Sequence, residues 1–100
     1  MSHQKLDAAA ILATAEGWQA SADGKAITRL FQFGDFNAAF AFMTRCALRA
    51  EQLDHHPEWS NVYNKVNVRL TTHDVDGLSD RDLAMAQFMD KAAGTQNSDA

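Results

Sequence analysis

The chain has one cysteine, Cys46, so it can form no internal disulfide, and a reducing compartment suits it. It also has one proline, Pro57, so only one point on the chain carries a fixed backbone break of that kind. The five glycines, Gly17, Gly24, Gly34, Gly77 and Gly94, are scattered, which excludes a glycine-rich phosphate loop. Lys and Arg number 9 against 13 Asp and Glu, and no basic run occurs; direct nucleic-acid binding is therefore not expected. No apolar stretch approaches the roughly 20 residues that a membrane span needs. The opening Met1-Ser2-His3-Gln4-Lys5 carries no signal-peptide pattern, and the cytoplasm is the expected location.

What remains describes one small globular domain. Apolar residues make up 46% and charged residues 22% of the 100 residues, enough for a real but limited core. Neither an internal repeat nor an interior linker is visible. The domain is expected over residues 1–94, and the small polar residues 95–100 read as a flexible tail.

Ala- and Leu-rich residues 5–16 suggest a first helix that Gly17 ends. Residues 18–22 and 27–33, with the turn signal Asp23-Gly24 between them, suggest a hairpin. Ile27, Phe31 and Phe33 share its apolar face, which Arg29 interrupts. Asp35 is placed to cap a helix over residues 36–54. That helix carries two apolar stripes. Phe36, Phe40, Met43, Ala47 and Ala50 form one, which suits packing on a sheet; Phe42, Cys46 and Leu53 form the other, which suits either a wide core or a subunit contact.

Pro57 stops the helix. Two strands are expected next, over residues 59–63 and 66–72, with Asn64-Lys65 as a turn; a single long strand competes, because Val62 continues the even-numbered apolar face. Val66, Val68 and Leu70 alternate with Asn67, Arg69 and Thr71, the pattern of a strand buried on one side. Ser79 and Asp82 have the spacing of a capping box for a last helix, and Leu78 and Leu83 flank them as a hydrophobic staple. The order α-β-β-α-β-β-α implies a two-layer α+β domain with helices on one face of a four-stranded antiparallel sheet.

The chemistry-bearing residues cluster at the break. His55 and His56 sit at a helix C-terminus, which favours a nearby positive charge and so suits an imidazolium. Pro57 makes His56 extended and turns the two rings apart. Glu51, four residues before His55, is spaced to orient its ring, and Asp54 adds a carboxylate. Counting by twos from Asn67 puts His73 on the polar face of its strand. Three histidines suit acid–base work near neutral pH. Taken singly, each also reads as an ordinary surface histidine. A three-histidine zinc site is disfavoured, because adjacent histidines at a proline break lack the His-x-x-x-His spacing that places two ligands on one helical face. Cys46, mid-helix among apolar residues, reads as a buried inert thiol. Trp18 and Trp59 suit either core packing or contact with a flat ligand.

Glu51, His55-His56-Pro57, Tyr63, His73 and Asp82 fall at the spacing of the pterin-4a-carbinolamine dehydratase signature. With Phe36-Asn37, Phe42-Met43-Thr44-Arg45, Pro57-Glu58-Trp59, Asn61-Val62-Tyr63-Asn64-Lys65-Val66 and Gly77-Leu78-Ser79, the chain resembles that family from Gly17 to Phe88; the first helix resembles nothing in particular. The resemblance implies a hydro-lyase that removes water from a ring-hydroxylated tetrahydrobiopterin released by aromatic amino-acid hydroxylases, with no cofactor or metal. It implies a pterin held by Asp54, His55 and His56 on one side and Thr71, Thr72, His73 and Asp74 on the other, with His55, His56 and His73 catalytic. Asp82 reads as the cap of the last helix and Glu51 as a group that orients a histidine. The resemblance also implies a homodimer or homotetramer. Two further roles compete with catalysis: transcriptional coactivation, as in animal members that bind a homeodomain factor, and regulation of an aromatic amino-acid hydroxylase.

Overall fold

The computed structural model describes residues 4–97, with side chains described to residue 94. The hairpin expected early in the chain is present: β2 (Gln19–Ala20) pairs antiparallel with β3 (Ile27–Gln32). The turn between them places Gly24 at φ 72°, a left-handed conformation that glycine adopts without a Cβ clash. Asp35 caps α2 (Phe36–Leu53) by accepting from the Ala38 N–H at 2.8 Å. Two strands follow rather than one, β4 (Glu58–Val62) and β5 (Lys65–Leu70). The turn lies one residue earlier than expected, at Tyr63-Asn64, and Tyr63 takes φ 52°. The sheet order is β2-β3-β5-β4, all antiparallel.

The α+β architecture expected from the sequence is the one observed, with three helices against a four-stranded antiparallel sheet. Val66, Val68 and Leu70 are buried, as are Ile27, Phe31 and Phe33. Arg29 sits on the same face, half-buried, with its guanidinium 4.4 Å from the Phe31 ring centroid and 2.7 Å from Asp90 Oδ1. Trp18 donates its indole N–H to the same oxygen at 2.8 Å and meets Phe31 edge-on, so this tryptophan belongs to the core.

The amino-terminal segment departs from expectation. Instead of one helix over residues 5–16 there is a short strand, β1 (Lys5–Leu6), and a single-turn helix, α1 (Ala8–Leu12), capped by Asp7. Leu6 pairs with Leu78 and Lys5 with Ser79 in β6 (Leu78–Ser79), making a second, two-stranded sheet. The alanine run is helical as its propensity predicts, whereas Lys5 and Leu6 before it pair with a distant strand instead. The last helix, α3 (Asp80–Asn97), continues past Gly94 into the segment read as a tail. Residues 98–100 lie outside the described residues.

The buried face of α2 takes Ala50 from the first expected stripe and Phe42 and Cys46 from the second. Ala39, Phe42, Cys46 and Ala50 are fully buried, whereas Phe36 and Phe40 are exposed and stack on each other at 5.5 Å. Small Ala39 and Ala50 let the helix lie close to the sheet. Phe42 then reaches Phe31 and Phe33, with ring centroids 4.7 and 5.0 Å away. Phe42 and Cys46 therefore cannot form a subunit contact, and Leu53 is half-buried against the same core. Among the described residues no helix is long and apolar enough to cross a membrane.

Candidate functional site

Helix α2 ends by a left-handed residue. Asp54 takes φ 52° and ψ 45°, and its N–H and that of His55 return to carbonyls of the last turn. The reversal directs His55 inward and His56 outward. The His55 side chain is 9% exposed and that of His56 59%. His55 Nε2 lies 2.7 Å from Asp82 Oδ1, and His56 Nε2 lies 2.8 Å from Glu51 Oε1. Glu51 thus orients His56, not His55 as its four-residue spacing suggested. The left-handed cap breaks the helical register on which that expectation relied.

On the other side, β5 ends at Leu70, and Thr72 forms an isolated bridge with Gly77. His73 therefore does not end a strand: it opens a short 3-10 turn, His73–Val75. Its side chain is 87% exposed, with Nε2 3.7 Å from Glu58 Oε2. Glu58 also accepts from Arg69 at 3.1 Å, which ties the start of β4 to β5.

These two chain reversals face each other across a cleft of about 370 Å³, lined by Asp54, His55, His56, Glu58, Thr71, Thr72, His73, Asp74 and Arg81. The size suits a small-molecule ligand. All seven residues expected to meet a pterin line this one cleft. Both threonine hydroxyls are engaged within the protein. Thr71 Oγ1 faces the carbonyls of Lys25 and Gly77 at 2.7 and 3.2 Å. Thr72 Oγ1 donates to Asp82 Oδ2 at 2.7 Å and lies 2.7 Å from Ser79 Oγ.

Sequence reasoning missed Glu58 and Arg81 as lining residues. Arg81 stands in the first turn of α3, and its guanidinium donates to the Asp54 carbonyl at 2.8 Å, fastening the α2 cap to α3. A cation beside the two acids of a helix start was the available signal. The capping box was legible: Asp82 accepts from the Ser79 N–H at 2.9 Å, and Ser79 Oγ accepts from the Arg81 N–H at 3.2 Å. Below the cap, the Asp80 N–H donates to the Gln4 carbonyl at 3.1 Å, so the amino-terminal strand braces the site. Among the described residues no group of three or more His, Cys, Asp or Glu side chains is arranged to hold a metal ion.

The cleft of this small α+β domain gathers three imidazoles, three carboxylates and one guanidinium, groups able to give and take protons on a small molecule. The family model described as pterin 4 alpha carbinolamine dehydratase matches residues 1–92, and the chain belongs to that family. The match includes the amino-terminal segment that resembled nothing on sequence grounds. A Rhizobium meliloti (strain 1021) protein named as a candidate pterin-4-alpha-carbinolamine dehydratase is 55% identical over 96 residues, covering 93% of this chain and 92% of that protein. A Sinorhizobium medicae (strain WSM419) protein named in the same way is also 55% identical over 96 residues. The crystal structure of a transcriptional coactivator/pterin dehydratase from Brucella melitensis superposes with a TM-score of 0.86 at 46% identity, covering 91% of this chain and all of that one. A pterin dehydratase-like protein described as a RuBisCO assembly factor in the alpha-carboxysome shares the fold, with a TM-score of 0.68 at 23% identity.

Proposed function

We propose that this chain is a pterin-4a-carbinolamine dehydratase whose reaction takes place in the cleft of His55, His56 and His73. The substrate is a 4a-hydroxytetrahydropterin. A general acid protonates the 4a-hydroxyl, which leaves as water, while a base takes the proton from the adjacent ring nitrogen. The C–O bond breaks, a C=N bond forms, and the product is the quinonoid dihydropterin. One proton is given and one is taken, so the reaction needs no oxidant.

The observation that carries this reading is the meeting of three histidines from two separate chain reversals in one ligand-sized cleft. His55 and His73 are the proton-exchanging pair in this reading, and His56, held by Glu51, binds and orients the ring. Asp54, Thr71 and Asp74 complete the substrate wall. A stopped-flow assay of carbinolamine dehydration, with and without the protein, tests it; an unchanged rate would remove the enzyme reading. Activity should also survive exhaustive chelation, since the Nε2 atoms of His55 and His56 are taken up by carboxylates. Loss on chelation with recovery on adding zinc would reverse that expectation.

Self-association into a homodimer or homotetramer is part of the proposal, supported by exposed Phe36, Phe40 and Leu48 on α2. A cytoplasmic location agrees with the single buried thiol. The description of the Brucella melitensis relative as a coactivator as well as a dehydratase favours a second reading, a partner-binding role on the same helix surface.

A further inference from the structure

We infer that Asp82 is a positioning residue for the reaction, fixing the tautomer of His55, and that Thr72 serves the same purpose through Asp82 rather than by touching substrate. The inference rests on the dehydratase reading for its kinetic consequence and on geometry alone for its structural one.

Asp82 is fully buried, yet its carboxylate has three partners and each does something different. Oδ2 accepts the Ser79 N–H at 2.9 Å, which closes the cap of α3, and the Thr72 hydroxyl at 2.7 Å. Oδ1 lies 2.7 Å from His55 Nε2. A helix cap needs only one of these contacts. The other two connect the start of α3 to the end of β5 and to the cleft.

An ionised carboxylate offers acceptors only. His55 Nε2 must therefore carry a proton to meet it. That leaves Nδ1 as the atom whose protonation can change. Among the described residues no hydrogen bond to His55 Nδ1 is found, and no buried side-chain nitrogen or oxygen there lacks a partner. Nδ1 is thus the ring atom that reaches the surface of the cleft His55 lines. With Nδ1 bare, the ring accepts a proton there; once protonated, it donates from the same atom, while Nε2–H stays on Asp82 throughout.

Thr72 strengthens this arrangement. Its hydroxyl proton is spent on Asp82, so the Ser79 hydroxyl donates to Thr72 Oγ1 at 2.7 Å. The Arg81 N–H in turn donates to Ser79 Oγ at 3.2 Å. A chain of donors thus runs from the α3 backbone to the carboxylate, each bond polarising the next. Thr72 is 3% exposed, too buried for its hydroxyl to serve a ligand as well.

The substitution Asp82→Asn separates the two duties. The Asn oxygen must face the Ser79 N–H and the Thr72 hydroxyl, both donors. The Asn amide nitrogen then faces His55 Nε2, which has to become the acceptor. The helix cap survives, but the proton moves to Nδ1, and the ring presents a donor where it had presented an acceptor.

The test is long-range proton–nitrogen correlation NMR of the imidazole rings in the full chain, together with stopped-flow dehydration of a 4a-hydroxytetrahydropterin. In the parent protein at pH values where His55 is neutral, Nε2 should be protonated and Nδ1 bare. Asp82→Asn should reverse that assignment and lower kcat by roughly 10²–10⁴-fold with little change in KM, the size expected when a histidine is held in the wrong tautomer. Thr72→Val should lower kcat by roughly three- to tenfold, the equivalent of one net hydrogen bond, again with KM held, and Thr72→Ser should restore it. This pair keeps the inference testable if Asp82→Asn fails to fold. An unchanged His55 tautomer and kcat in Asp82→Asn would reduce Asp82 to a helix cap, and a Thr72→Val effect confined to KM would return Thr72 to the substrate wall. An inactive parent protein removes the dehydratase reading instead, while the tautomer measurement still decides what Asp82 does.

Discussion

At the scale of single residues, chemistry is decided by which ring atom each neighbour occupies. His55 and His56 stood out in the sequence because proline and helix end are local signals, whereas strand alternation, which pointed to His73, stops at Leu70 before reaching it. The environments of all three were not legible. His55 is paired with a residue 27 positions away, and nothing local announces that contact. Asp82 was legible as a cap for the same reason that its second duty was hidden: the cap is three residues long and the ring is tertiary. If His55 and His73 exchange protons, His55→Ala and His73→Ala should each lower kcat by roughly 10²-fold or more with small changes in KM, and His56→Ala should mainly raise KM. Nearly full turnover in each single variant would leave substrate positioning as the whole source of rate. Cys46 gives a separate prediction. Burial pushes its thiol from 9.0 up to about 12, so the unfolded chain loses this proton first as pH rises. The raised value contributes stability that is intact below pH 9.0 and lost as pH climbs toward about 12. Urea midpoints measured on both sides of pH 9.0 should fall more steeply in the parent than in Cys46→Ala. Equal slopes would mean that the thiol is not the group responsible.

At the scale of elements, sequence periodicity found the strands and α2 but could not say which side of α2 faces in. Its two apolar stripes adjoin, and the richer in large side chains looked like the core side. Packing instead buried a face that draws on both, Ala39, Phe42, Cys46 and Ala50, because small residues allow close approach and more contact than a row of outward phenylalanines. The first helix is shorter than expected for a different reason: Lys5 and Leu6 pair with β6 ahead of it, and only Ala8–Leu12 is helical. Arg29, which interrupts an apolar strand face, turns out to be the hub that joins β3, α3 and the loop before β2. Asp90 accepts from both Arg29 and Trp18. Asp90→Ala strands both donors and should cost about 1–2 kcal/mol in chemical denaturation, the ion pair being only partly buried. Gly17 lies beneath the same guanidinium; a Cβ there would come within 2.6 Å of Arg29 Nη1. Gly17→Ala should therefore displace the guanidinium from Asp90 and cost roughly 1 kcal/mol. An additive loss in the double variant would show that the two sites do not share this arginine.

At the scale of the whole molecule, the same helix that closes the core also presents apolar surface to water. Phe36 is 41% and Phe40 54% exposed, and the two rings stack at 5.5 Å beside the buried face. Leu48 is 62% exposed farther along α2. Single exposed apolar residues need no explanation, but two stacked phenylalanines on the longest apolar helix of a small domain leave an area that water solvates poorly. Association through that surface would bury it without disturbing the cleft, whose residues come from the helix end and beyond. Sedimentation at micromolar concentration should therefore show a dimer or a tetramer. Replacing both rings, Phe36→Ser with Phe40→Ser, should shift the protein toward monomer while leaving the monomer fold intact, because neither ring belongs to the buried core cluster. Dehydratase activity per chain should be retained, since neither ring lines the cleft. A parent protein that sediments as a monomer would remove self-association through α2. A double variant that keeps its oligomeric state would place the contact elsewhere on the surface, with exposed Leu30 and Val62 on the sheet as the next residues to replace.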